Sequence, residues 1–172
     1  MIKRLAEREL KTKYGVFNEI LYYDGQKESI AIVMGDVADQ EGVLCRVHSH
    51  CIGAHVFSSI ECTCREEMEA AQSMIESVGR GVIIWLDQEG KGNGHLALIE
   101  SIPFKKEFGQ AKAYEMAGYT ADARNYRAAA GILNELKVRS IVLLANSVGK
   151  ADDLRNESIT VSSTRILLSE AR

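Results

Sequence analysis

Three cysteines lie close together in one polar stretch of this chain, so any fold of the chain must place them near one another. Cys51, Cys62 and Cys64 are separated by ten residues and then by one residue. A Cys-x-Cys pair does not easily close an unstrained disulfide, but a tight turn can direct both thiolates at one cation. Three sulfurs leave one position of a tetrahedral zinc ion free, as a catalytic site requires. Water in that position would be activated near neutral pH.

Two other interpretations of these cysteines stay open. Free cysteine is often fully buried, so the three could be core residues. They could also form a closed structural site completed by His48, His50 or His55. Ordinary core is a poor description of so polar a loop, because buried polar groups need partners. Spacing alone does not separate catalytic from structural zinc.

The composition predicts a single domain over residues 1–172. The chain has 172 residues, 46% hydrophobic and 26% charged, which is enough to bury a core. Its net charge of −3 argues against a general nucleic-acid or membrane surface. The four cysteines are unevenly spaced, unlike a disulfide framework, and the N-terminus MIKRLAEREL has no apolar signal core. The apolar runs are too short to cross a bilayer, so we expect a cytoplasmic protein.

The order of hydrophobic patterns predicts a mixed α/β domain with an N-terminal β-hairpin region and interleaved strands and helices. Residues 1–13 have apolar side chains near helical spacing and predict a short amphipathic helix, either a contact in an expected homodimer or a solvated cap. Residues 15–38 predict a hairpin around Asp24-Gly25. Buried strands are predicted at 44–47, 81–87 and 140–147, and helices at 65–79, 104–117 and 123–138, before a short tail.

The motifs around the cysteines also resemble a known family. RVHSHC, ending at Cys51, is followed by VFSS, then CTC, then QEGKG from Gln88. This order and the cysteine spacing resemble GTP cyclohydrolase II, the enzyme that opens the guanine ring at the head of riboflavin synthesis. The resemblance covers roughly residues 44–150 and implies catalytic Zn²⁺ on the three cysteines. It also implies the family's fold and a reaction that releases formate and pyrophosphate from a purine nucleotide such as GTP.

The resemblance further implies roles for individual residues. In ADARNY, residues 121–126, Asp122 would accept a proton and Arg124 would attack or clamp the α-phosphate. Without the resemblance, Asp122 would be a helix cap, the Gly-rich QEGKGNGH an ordinary turn and Lys150 a solvated charge. The residues implied to contact the nucleotide are Arg46, His48, Ser49, His50, Glu67, Glu89, Gly90, Lys91 and Lys150.

The chain departs from the family pattern where the nucleotide would bind. The family's glutamate, glutamine, arginine and threonine are replaced by His50, Glu67, Asp87 and Ala145. The family's tyrosine, which helps to place the attacking water, aligns with Ser101 or Ile102. Tyr114 takes its place only if an insertion and a deletion balance each other. With less positive charge near the phosphates, a triphosphate needs compensation from Lys91 or Mg²⁺.

These observations predict a zinc-dependent cyclohydrolase that uses GTP poorly. One alternative is a sister hydrolase that acts on a different heterocyclic nucleotide. The other is a catalytically silent nucleotide-binding regulatory protein that keeps zinc for stability. A small-molecule nucleotide is the expected partner in each case, without nucleic acid or membrane.

Overall fold

Seven strands form one mixed sheet in residues 1–146 and 149–168, the part of the chain that the computed structural model describes. They are β1 (Lys3–Thr12), β2 (Gly15–Tyr23), β3 (Glu28–Met34), β4 (Val43–Ser49), β5 (Gly81–Leu86), β6 (Ile141–Leu144) and β7 (Val161–Arg165). The sheet order is β1-β2-β3-β5-β4-β6-β7. The half from β1 to β5 is antiparallel, and the half from β5 to β7 is parallel. The predicted α/β class and the hairpin of β2 and β3 are confirmed.

Helices cover both faces of this sheet. They are α1 (Ile52–His55), α2 (Cys64–Val78), α3 (His95–Met116), α4 (Arg127–Glu135) and α5 (Gly149–Asn156). Ile75 of α2 shares a hydrophobic cluster with Leu44 and Ile83 on one face. On the other face, Leu133 of α4 and Leu154 of α5 belong to a second, larger cluster. Among the described helices, none has the length and apolar character to cross a membrane.

The N-terminal segment is a strand, so the amphipathic helix predicted over residues 1–13 is wrong. β1 pairs antiparallel with β2, with Thr12 opposite Gly15 across a tight turn. Arg8 and Glu19 form an ion pair across the two strands. Backbone pairing along the edge of β2 outweighs the helical spacing of a few apolar side chains, because it satisfies the main-chain groups of the whole segment. The many charged side chains suit an exposed edge strand.

Three boundaries in the second half of the chain also differ from the prediction. The helix predicted over 104–117 is α3, which begins at His95 and contains Pro103. α4 begins at Arg127 rather than at residue 123, because residues 121–126 form a loop, in which Ala123 N–H donates to Lys91 O at 2.8 Å. The predicted short tail contains α5 and β7 instead, and Lys150 lies in the first turn of α5. The predicted strand at 140–147 corresponds to β6, and its residue 147 lies outside the described residues. So do residues 148 and 169–172 of the predicted domain.

The motifs collect at the carboxyl ends of the parallel strands. Ser49 ends β4, Gln88 follows β5, and Asn146 follows β6. α2 leaves β4 towards one face, whereas α5 leaves β6 towards the other. In open α/β sheets, ligands bind at such an edge, beside the point where the connections change face. The fold therefore opens a crevice between the ends of β4 and β6.

Candidate active site

A short loop between β4 and α2 holds the three cysteines. The backbone N–H of His50 donates to Leu86 O at 2.9 Å, which joins the end of β4 to the end of β5. Cys51 then precedes α1, and Cys64 begins α2. Arg65 closes the loop, because its Nε donates to Ala54 O at 3.0 Å. The cysteines therefore lie between the end of β4 and the start of α2, and the hydrogen bond from Arg65 holds this segment together.

The sulfur atoms have the spacing of a metal site. All three Sγ atoms lie within 4.8 Å of one another, and those of Cys51 and Cys62 are 3.7 Å apart. Two thiolates about 2.3 Å from a tetrahedral zinc ion would be about 3.8 Å apart. Burial raises the pKa of Cys51 and of Cys64, so their thiolates need a cation beside them. The donor set therefore fits zinc.

The histidines do not belong to this cluster in the described part of the chain. His48 Nε2 lies 2.9 Å from His55 Nε2, so these two nitrogens face each other. Arg46 Nη2, which can only donate, lies 3.5 Å from His48 Nδ1, and this assigns the His48 proton to Nε2. Burial, with Arg46 nearby, lowers the pKa of His48 to about 2. His48 is thus a neutral link between Arg46 and His55 and does not complete a closed metal site.

Glu89 contacts the cysteine loop directly. Its Oε1 accepts a hydrogen bond from the N–H of Ile52, the residue after Cys51, at 2.9 Å. Its Oε2 lies 3.0 Å from His95 Nδ1. With its side chain only 10% exposed and both oxygens occupied, Glu89 braces the loop from the Gly-rich turn. Gly90 and Lys91 follow in a single 3-10 turn.

Two cavities meet at the cysteines. The first, of about 420 Å³, lies between the cysteine loop and α3, which contributes Leu98, Ile99 and Ile102. The second, of about 280 Å³, lies between the ends of β4 and β6. Both are lined by Ser49, Cys64 and Arg124. An apolar space and a polar space therefore share one wall at the metal site.

The second cavity is lined by buried basic side chains. Arg46 is 4% exposed, donates to Leu144 O at 3.0 Å through Nη1, and pairs with Glu67 through Nη2. Lys150 Nζ donates to Val47 O at 3.0 Å. Burial, with Arg46 and Arg124 nearby, lowers the pKa of Lys150 to about 7. Within the described part of the chain, Arg46 Nε and Ser49 Oγ are buried without a hydrogen-bond partner.

Asp122 and Arg124 form a forked ion pair beside the cysteines. Arg124 Nε and Nη2 donate to the two oxygens of Asp122 at 2.9 and 2.5 Å. Hydrogen bonds with Arg124 hold the pKa of Asp122 below its usual value despite burial, which acts in the opposite direction. Asp122 does not cap α4, whose N-cap residue is Tyr126. The structure therefore brings this pair to the cavities from a loop.

Several residues of the first cavity were not among the predicted site residues, and Tyr114 and Gln110 are the most informative of them. Tyr114 is 1% exposed and lines this cavity, as does Ile102, one of the two residues, Ser101 or Ile102, that an ungapped alignment places at the family's tyrosine. Burial raises the pKa of Tyr114, so its hydroxyl stays protonated at neutral pH. Gln110 also lines the cavity, and its Nε2 is buried without a hydrogen-bond partner among the described residues. The sequence indicated Tyr114 only through an alignment in which an insertion and a deletion of similar size place it at the family's tyrosine.

The structure also locates the departures from the family pattern. Asp87 is not part of the wall of either cavity; its Oδ1 lies 3.5 Å from His50 Nδ1, and its main-chain oxygen accepts from Lys27 Nζ at 2.8 Å. Asp87 therefore acts on the first cavity through His50, which lines it, and its effect on phosphate binding stays a prediction. Ala145 is 2% exposed and is likewise absent from both walls, whereas Asn146 lines the second cavity. Glu67 lines this cavity and is paired with Arg46.

Comparison with known proteins identifies the family. The model of the family GTP cyclohydrolase II matches residues 3–166. The chain belongs to the GTP cyclohydrolase II family. Its curated relatives include proteins called riboflavin biosynthesis protein RibBA. The one from Bacillus cereus is 38% identical over 164 residues, which are 94% of this chain and 41% of the relative. The one from Chlorobium phaeovibrioides is 35% identical over 164 residues, 94% of this chain and 40% of the relative.

The chain thus spans about two fifths of the length of these relatives. A solved structure, titled as RibBX, a two-domain 3,4-dihydroxy-2-butanone 4-phosphate synthase from A. baumannii, has a similar fold. Its TM-score is 0.55 at 18% sequence identity, and the match covers 95% of this chain and 40% of that one. At this identity the likeness concerns the fold alone.

Proposed function

We propose that this chain is a zinc-dependent cyclohydrolase that opens the five-membered ring of a purine nucleotide and releases formate. The observation that carries the proposal is the three-cysteine cluster at the junction of an apolar and a basic cavity. A purine is flat and largely apolar, whereas its phosphates need cations and donors. Membership of the GTP cyclohydrolase II family supports the same assignment.

The two cavities suggest how a nucleotide would be oriented. The base would occupy the first cavity against Leu98 and Ile102, with Gln110 Nε2 as a donor for a ring oxygen or nitrogen. The phosphate end would occupy the second cavity beside Arg46 and Lys150. The imidazole carbon of the purine would then lie near the wall that both cavities share.

We assign a separate role in ring opening to each residue around the cysteines. Bound zinc would supply a Lewis acid that makes water nucleophilic at neutral pH. Tyr114, kept protonated by its buried environment, would orient the attacking water through its hydroxyl. Glu89 would hold the cysteine loop in place through Ile52 N–H. Arg124, aligned by Asp122, would contact the phosphate nearest the ribose. For a triphosphate, Lys91 or Mg²⁺ would have to balance the added charge.

Metal content and formate release test this proposal together. We expect about one zinc per chain and formate release from a purine nucleotide. Cys62→Ser should lose both, because a ligand sulfur is removed. Cys45→Ala is the matched control, because Cys45 is fully buried in the core of β4, away from the cluster, and its loss should leave zinc content unchanged. Undiminished zinc in Cys51→Ser, Cys62→Ser and Cys64→Ser combined would refute the metal assignment.

The replacements at His50 and Glu67 favour a second candidate, a sister hydrolase acting on a different heterocyclic nucleotide. A panel of purine and pyrimidine nucleotides, followed by ultraviolet absorbance and formate, separates the two hydrolases. Nucleotide binding without reaction across the panel would support a regulatory protein instead. We also propose a homodimer, on the family resemblance, and a cytoplasmic location, on the likeness to riboflavin biosynthesis proteins.

A further inference from the structure

The arginines of the second cavity are already paired with carboxylates. Arg46 Nη2 forms an ion pair with Glu67 Oε2, and both side chains are largely buried. Glu67 is held in this position by Thr63, whose Oγ1 donates to Oε1 at 3.0 Å. Arg124 forms its forked pair with Asp122. Each arginine therefore brings its own counter-charge to the cavity.

Few cations and hydrogen-bond donors in this cavity remain free to bind a ligand. Of the described residues in this wall, Lys150 is the cation without a carboxylate within salt-bridge distance. In the same wall, the buried donors that lack a hydrogen-bond partner among the described residues are Arg46 Nε and Ser49 Oγ. Beside Arg124, whose charge Asp122 already balances, one ammonium group and two free donors suit the outer oxygens of a single phosphoryl group. They do not match the further negative charge that the second and third phosphates of a triphosphate carry near neutral pH.

The first cavity does not supply the missing charge. Its lysines are Lys91 and Lys105, and its carboxylates are Glu61 and Glu89. The described walls of the two cavities, with Asp122, therefore carry nearly balanced charge. A long polyanion would have to displace internal ion pairs or bring its own cations, and breaking a buried pair is costly.

We infer that the substrate of this site is a purine nucleoside monophosphate rather than a triphosphate, an inference that rests on the proposed function. One water adds to the imidazole carbon between the two ring nitrogens, and a carbon–nitrogen bond of the ring opens to leave a formamide. A second water cleaves the formamide and releases formate. The phosphate ester is untouched, and no phosphoanhydride bond is broken, so the reaction consumes two waters and needs no other reactant.

Formate release from GMP, GDP and GTP tests the inference, with kcat/KM measured with and without excess Mg²⁺. We expect kcat/KM for GMP to exceed that for GTP at least tenfold without added Mg²⁺. Formate release with GTP equal to or better than GMP overturns the inference and leaves the proposed ring opening intact. Zinc-loaded protein that releases formate from none of the panel of nucleotides overturns the proposed function, and the inference with it.

Glu67→Gln provides the structural test of the cause. The amide keeps the length of the side chain and an oxygen for Thr63, but removes the charge that neutralises Arg46. We expect the GTP-to-GMP ratio of kcat/KM to rise about tenfold. Glu66→Gln, an exposed carboxylate one residue away, is the matched control and should leave the ratio unchanged. If folded Glu67→Gln has the wild-type GTP-to-GMP ratio of kcat/KM, the pairing of Arg46 with Glu67 is not the cause of the preference. If that variant does not fold, the ratio measured for the wild type still tests whether the monophosphate is preferred.

Discussion

At the scale of single residues, Lys150 is an amine buried in the wall of the second cavity. Its pKa is lowered to about 7 by burial and by the neighbouring arginines, whereas the unfolded chain has the ordinary value of 10.5. Between these values the unfolded state binds more protons, so this residue makes the folded state more stable as pH rises from 7, by at most about 1.4 kcal/mol per pH unit. Below pH 7 the lysine is charged in both states and contributes no slope. We expect Lys150→Met to remove this slope from the free energy of unfolding, measured with urea from pH 6 to 10. A pH dependence identical to that of the wild type would show that Lys150 titrates normally.

At the scale of elements, the Gly-rich turn supports the loop that carries Asp122 and Arg124. Gly92 has φ 84, and a Cβ placed there would lie 2.7 Å from the carbonyl carbon of Ala123. Gly92→Ala should therefore push this loop away from the cavities and lower nucleotide turnover at least tenfold, while zinc content stays normal. Gly118→Ala is the matched control, because Gly118 has φ 87 but no atom within 4 Å of its added Cβ. It carries the backbone strain without the clash. Equal loss of turnover in both variants, measured by formate release, would assign the effect to strain alone.

At the scale of the whole molecule, the hydrophobic core lies apart from the cysteine cluster. The two clusters of buried side chains pack α2 on one face of the sheet and α4 and α5 on the other, without Cys51, Cys62 or Cys64. Removal of the proposed zinc with a chelator should therefore leave the sheet and α2, α4 and α5 folded and loosen the loop at 50–63, which contains α1. Circular dichroism should change little, whereas amide hydrogen exchange should rise in that loop. Global unfolding on chelation would identify the zinc as structural, as in small metal-dependent domains.

Local sequence determined much of this protein. The alternation and run length of apolar residues were enough to predict the strands β2, β3, β4 and β5. They also predicted the apolar stripe of α2, because each of these patterns repeats within one element. The cysteine loop was also predictable, because all three sulfurs lie within one short stretch and need little of the fold to meet. The segment at 1–13 was not predictable in this way, since its strand depends on the free edge of β2, which the local spacing does not report.

Only the tertiary structure decided which charges are available at the site. Glu67 and Arg46 are 21 residues apart, and nothing in either motif indicates that they pair. Glu89 meets Ile52 across 37 residues, and Tyr114 reaches the first cavity only because α3 passes over it. Asp87, which by alignment belonged to the phosphate site, lines neither cavity and instead contacts Lys27 and His50. The sequence specifies which groups are present, but ion pairing and burial depend on distances between distant segments, and these distances arise only when the sheet brings the segments together.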